Sequence, residues 1–123
     1  MPEVTRGGVH LHYSDNSTGP AVLFHTGAAG DGRMWEPAGY PDIISPCRQL
    51  FLDHRGHGQS DRPTEALAHR LDEYVADVVA VLDHVQVDRV ILVGYSAGAK
   101  VVYSLAADHP DRVIALACLG GVD

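Results

Sequence analysis

Three times along this chain a short apolar run without alternation opens into a glycine-rich loop. "AVLFH" runs into "TGAAGDG", "QLFLD" into "HRGHGQSDRP", and "VILVG" into "YSAG". Apolar runs that lack a period of two mark strands covered on both faces. Between the second and third runs, Leu71, Tyr74, Val75, Val78, Leu82 and Val85 recur at steps of three and four, which predicts a helix over residues 70–85. Glu73, Asp77 and Asp83 fall away from that stripe. A second helix is expected over Ala97–Asp108, stopped before Pro110, and a last strand over "VIALACL", residues 113–119. At the start, "EVTRGGVHLHYSD" reads as a hairpin turned at Gly7-Gly8, with Val9, Leu11 and Tyr13 alternating with His10 and His12 on a wet face. "RMWEPAGY" fits a short helix or irregular chain, and "SDRPTEALAHR" is the most loop-like long segment.

Strands alternating with helices at crossover spacing predict an α/β fold. The expected sheet has about six strands and is mostly parallel, entered through the antiparallel hairpin and flanked by helices, in one domain over residues 1–123. Ligand sites in such sheets lie at the carboxyl ends of the strands. The loops after residues 25, 53, 93 and 119 all belong to that end.

The loop after the third run carries the chemistry. Gly94-Tyr95-Ser96-Ala97-Gly98 is a G-x-S-x-G pattern. Alone, five letters of this kind arise by chance in glycine-rich turns. Between a buried strand and a helix they describe a nucleophile elbow, in which a strained turn lifts the serine hydroxyl above the sheet. The glycines are expected where a side chain would collide with the neighbouring strand or helix. The helix beginning at Ala97 aims its free N–H groups and positive dipole end at the hydroxyl. An oxyanion would be held by the Ala97 N–H and by a second donor from the loop after "AVLFH". Thr26 and Gly27 are the candidates, with Gly27 preferred.

Three blocks, "LFHTGAAGDGRMW", "LFLDHRGHGQSDRP" and "VILVGYSAGAKVVYSLAADHPDRV", together resemble the N-terminal half of an α/β-hydrolase-fold protein. The middle block matches that family's D-x-R-G-x-G-x-S loop through Asp53, Arg55, Gly56, Gly58 and Ser60, which the resemblance makes structural. It implies a serine hydrolase acting on an ester, thioester, lactone or similar acyl bond through an acyl-Ser96 intermediate. Because the nucleophile position is not Asp, it argues against dehalogenase or epoxide hydrolase chemistry. His25-Thr26 stands where many relatives have His-Gly, which displaces the glycine to Gly27. In the family the acid follows strand six or seven and the histidine follows strand eight. Counted against that order, the chain reaches just past strand six, so the usual base, the lid and the last two strands are expected to be missing. Asp123 and His25 are weak candidates for acid and base, and His57 is a further histidine near the site. His69, His84 and His109 read as solvated residues at helix ends. The alternative to an enzyme is a catalytically incomplete domain that folds and associates without turnover.

Other classes are disfavoured. The net charge is −7, and Lys100 is the only lysine, so no basic patch marks a nucleic-acid footprint. The acidic balance mildly disfavours anionic substrates. No stretch is apolar enough to span a bilayer and no secretory signal opens the chain, which points to a cytoplasmic protein. Cys47 and Cys118, placed in separate strands, read as reduced thiols. "TGAAGDG" followed by Asp53 loosely suggests a dinucleotide site, but its glycines run G-x-x-G-x-G rather than G-x-G-x-x-G. His54 and His57 lack the further ligands a metal needs. No cofactor and no metal are expected, and the partner is a small acyl substrate. The open edge of the 113–119 strand, or an uncovered face of the sheet, is expected to recruit a second copy of the chain into a homodimer or larger assembly.

Overall fold

The computed structural model describes residues 3–15, 19–26 and 47–119. Its six strands are β1 (Glu3–Arg6), β2 (Val9–Asp15), β3 (Ala21–His25), β4 (Arg48–Asp53), β5 (Val90–Tyr95) and β6 (Val113–Leu119). They form one sheet in the order β1-β2-β4-β3-β5-β6. β1, β2 and β4 are joined antiparallel, and β4, β3, β5 and β6 run parallel. The hairpin turns at Gly7 and Gly8, both at positive φ (57° and 81°), a conformation that glycine adopts without a Cβ clash. The long segment 60–70 contains a short 3₁₀ turn, Ala66–His69, and Cys47 lies on a bend just before β4 rather than in a strand. Neither described cysteine is in a disulfide.

Two helices complete the described residues: α1 (Leu71–His84) between β4 and β5, and α2 (Ala97–Asp108) between β5 and β6. Both crossovers step toward the β6 edge, and right-handed connections that step the same way lay their helices on the same face. The packing agrees. Val75, Val78, Val81 and Leu82 of α1 and Val101, Val102 and Leu105 of α2 share one core with Leu23, Leu50, Leu52, Val90 and Leu92 of the sheet. The opposite face holds a smaller cluster around Val22 and Phe24, where Phe24 stacks on Phe51 with ring centroids 4.7 Å apart. All five residues of β3 are buried, as expected of a central strand without alternation.

β6 differs. Among the described residues it pairs only with β5, and Ile114, Ala115, Leu116 and Ala117 are all exposed. The chain passes from β3 to β4 in one direction and from β4 to β5 in the other. The carboxyl ends of β3 and β5 therefore flank a topological switch point, where open α/β sheets bind ligands.

Candidate active site

His25 at the end of β3 lies in register with Gly94 of β5, so the Thr26 and Ser96 turns are neighbours. Ser96 takes φ 56° and ψ −117°, a conformation that costs a non-glycine residue about 1–3 kcal/mol. The surroundings hold it there. The Ser96 N–H donates to Leu119 O at 3.1 Å, and its carbonyl accepts from the Ala99 N–H at 3.0 Å. Its side chain makes no capping bond and the residue is exposed.

The glycines on either side explain how α2 comes so close. A Cβ on Gly98 would fall 2.3 Å from His25 O and 2.5 Å from Thr26 O. A Cβ on Gly94 would fall 2.5 Å from Gly98 O and 2.6 Å from Val102 Cγ2. The first turn of α2 thus rests directly on the end of β3. As the first residue of α2, Ala97 has no carbonyl one turn earlier to take its N–H. Thr26 is fully buried, with its Oγ1 3.2 Å from His54 Nδ1. Gly27, the preferred second donor, and Asp123, the candidate acid, lie outside the described residues.

His25 is sealed in the interior. Its Nδ1 lies 2.9 Å from Thr26 O. A carbonyl only accepts, so Nδ1 carries the proton and Nε2 is left as a bare acceptor. Nε2 has no hydrogen-bond partner among the described residues. Burial pulls the imidazole down to about 4, against the opposing effect of the Thr26 bond. A group titrating there is a weak general base near neutrality.

The D-x-R-G-x-G-x-S loop ties itself to the hairpin and to α1. Asp53 Oδ2 accepts from the Gln59 N–H at 3.0 Å and lies 3.1 Å from His12 Nδ1. The Ser60 hydroxyl donates to Asp53 O and accepts from the His12 N–H at 2.8 Å. Gly56 and Gly58 sit at φ 84° and 54°. With its carboxylate engaged in these bonds, Asp53 is built into the loop rather than held out for a ribose.

Arg55 forks onto Asp77 of α1, with Nε to Oδ2 at 2.7 Å and Nη2 to Oδ1 at 2.8 Å. Arg6 of β1 adds a bond from Nε to Asp77 Oδ1 at 2.8 Å and also pairs with Glu73. The pairing with Asp77 raises the Arg55 pKa above its ordinary value. Asp77 is 1% exposed, so the expectation that it lies off the buried stripe is corrected. Two guanidiniums make the burial of this carboxylate tolerable. Its spacing carried a signal, because Asp77 falls three residues after Tyr74 and four before Val81.

A cavity of about 220 Å³ opens beside the elbow. The end of β3 contributes His25 and Thr26, and the next loop contributes His54 and His57. His69 just before α1 and Leu71 and Tyr74 of its first turn contribute, and α2 contributes Ala97, Lys100 and Val101. The His25 and His54 rings stack at 4.8 Å, and His54 lies 3.8 Å from His57. The sequence places His69 as a solvated residue at a helix end. It stays exposed but is fixed by Tyr74 Oη at 2.9 Å and Pro63 O at 2.7 Å, and it walls the cavity. No group of three or more His, Cys, Asp or Glu among the described residues is arranged to hold a metal ion.

Comparison with known proteins agrees with this architecture. The putative carbamate hydrolase RutD of Caulobacter vibrioides is 34% identical over 122 residues, covering 95% of this chain and 44% of that protein. Epoxide hydrolase 2 of Siraitia grosvenorii is 31% identical over 113 residues, covering 92% and 36%. The solved structure described as "Est816 as an N-Acyl homoserine lactone degrading enzyme" superposes with a TM-score of 0.88 at 35% identity. That superposition covers 98% of this chain and 45% of the other. The chain thus spans less than half the length of these relatives. The family described as alpha/beta hydrolase fold matches residues 20–123, the stretch that runs from β3 through the elbow to β6, and the chain belongs to that family.

Proposed function

We propose that the chain carries the nucleophile half of a hydrolase acting on carboxylic ester-type bonds, including thioesters and lactones, through an acyl-Ser96 intermediate. The observation that supports this best is the Ser96 backbone at φ 56°, strained and exposed on the turn from β5 into α2, beside the switch point. In the reaction, Ser96 Oγ attacks the acyl carbon and gives up its proton. The bond from that carbon to the leaving oxygen, sulfur or alcohol arm breaks, and the leaving atom takes a proton. Water then releases the acid. Negative charge on the former carbonyl oxygen would be met by the Ala97 N–H and by an N–H from Thr26 or Gly27, each such donor contributing about 3–4 kcal/mol.

Two of the names among the relatives can be weighed chemically. Opening an epoxide through a covalent intermediate suits a carboxylate, which forms an ester that water can cleave. A serine would form an ether that water does not cleave. Ser96 therefore favours acyl chemistry of the kind named for the lactone-degrading structure. The competing reading is a domain that folds without turnover. It draws support from the Ser96 hydroxyl, which no hydrogen bond reaches among the described residues, and from the low pKa of His25.

A fluorophosphonate probe followed by peptide mass spectrometry separates the two. One adduct on Ser96, absent from Ser96→Ala, is expected of an activated nucleophile. An unlabelled Ser96 in folded protein supports the incomplete domain.

A further inference from the structure

Lys100 is the chain's only lysine, and it stands where a positive charge is disfavoured. It is the fourth residue of α2, close to the positive end of that helix dipole. Arg6, Arg48, Arg55, Arg70 and Arg112 each engage a carboxylate. Lys100 is exposed and enters no ion pair among the described residues. What it does face is the cavity beside the elbow. Among the described residues, no Asp or Glu lines that cavity. Its deepest imidazole, His25, is held uncharged by burial. Among the described residues the cavity thus combines one free ammonium with no fixed negative charge.

We propose that Lys100 is a specificity-determining residue that selects acyl substrates bearing a carboxylate a few carbons from the scissile carbonyl. The inference rests on the acyl-serine reading and deepens it. Lys100 shares the wall of this cavity with Ala97, the residue after Ser96, and with Thr26, both candidate oxyanion donors. A carboxylate at the far end of a short acyl chain seated in that cavity would meet the Lys100 ammonium. The acidic charge of the whole chain would disfavour such substrates, and this cavity reverses that preference locally.

The test compares release of 4-nitrophenol from mono-4-nitrophenyl glutarate and from 4-nitrophenyl valerate, whose acyl chains match in length. The rates are measured for the wild type, Lys100→Met and Lys100→Arg. The ratio of glutarate to valerate acylation rates is expected to fall about threefold to fivefold in Lys100→Met, the range of an exposed ion pair. It should hold in Lys100→Arg and shrink with added salt. An unchanged ratio in Lys100→Met overturns the proposal. If neither ester acylates Ser96, the acyl-serine reading fails, and calorimetric titration with glutarate decides Lys100 separately. Equal affinity for wild type and Lys100→Met then overturns its role, and weaker affinity for Lys100→Met sustains it.

Discussion

A serine held at φ 56° stores strain that glycine would not feel. Ser96→Gly is therefore expected to raise the urea midpoint, by about 1 kcal/mol in stability, while abolishing probe labelling; a lowered midpoint would contradict the strain argument. Gly98 carries the opposite constraint. A methyl group there meets backbone oxygens at 2.3 and 2.5 Å, which no rotamer change relieves. Gly98→Ala is expected to cost about 3 kcal/mol or more, read as a drop in the same midpoint, and to reduce labelling of Ser96. His25 makes a third residue-level prediction. Its folded pKa of about 4 lies below the ordinary 6.5, so the unfolded chain binds the proton first as pH falls. The His25 contribution is fully present above pH 6.5 and is lost progressively toward pH 4, to a total of about 3 kcal/mol. In His25→Phe, denaturation midpoints measured from pH 7 to 4 should fall less steeply than in the wild type.

At the scale of elements, Asp77 is the joint between the hairpin, the D-x-R-G loop and α1. Asp77→Ala leaves two guanidiniums with no buried carboxylate and is expected to destabilise by about 3–5 kcal/mol. Thermal melts of Asp77→Ala and of the charge-removing pair Asp77→Ala/Arg55→Met check this, the pair being expected to recover part of the loss. This joint also marks where sequence reading stops. β3, α2 and β6 were legible to the residue, because an apolar run without alternation, a G-x-S-x-G turn and a proline stop are all local signals. The roles of Gly94 and Gly98 followed from the same logic of close approach. Asp77 was not recognised, because its partners lie 22 and 71 positions away in the chain. The cavity was not recognised either, because His25, His54, His69 and Lys100 converge only after β3, β4 and the helices have docked. His69 looked like a solvated helix end for that reason.

At the scale of the molecule, the helices cover one face of the sheet, and the β6 edge is open among the described residues. Ile114 is 52% exposed and Leu116 36%, and an apolar edge strand of this length is a template for pairing. The self-association expected from the sequence is tested by sedimentation of this chain. Leu116→Lys should shift the wild-type assembly toward monomer; a wild type that is already monomeric at high concentration would rule it out.

The contact of Gly98 with His25 and Thr26 has a practical consequence for anyone moving this site elsewhere. The G-x-S-x-G turn reads like a portable cassette of five residues, yet its geometry is borrowed from the strand beside it. A transplanted elbow would bring the serine but not the floor it stands on. The smallest unit that could be carried to another scaffold is the β3 end together with β5 and the first turn of α2, two neighbouring strands and one helix start that function as a single casting.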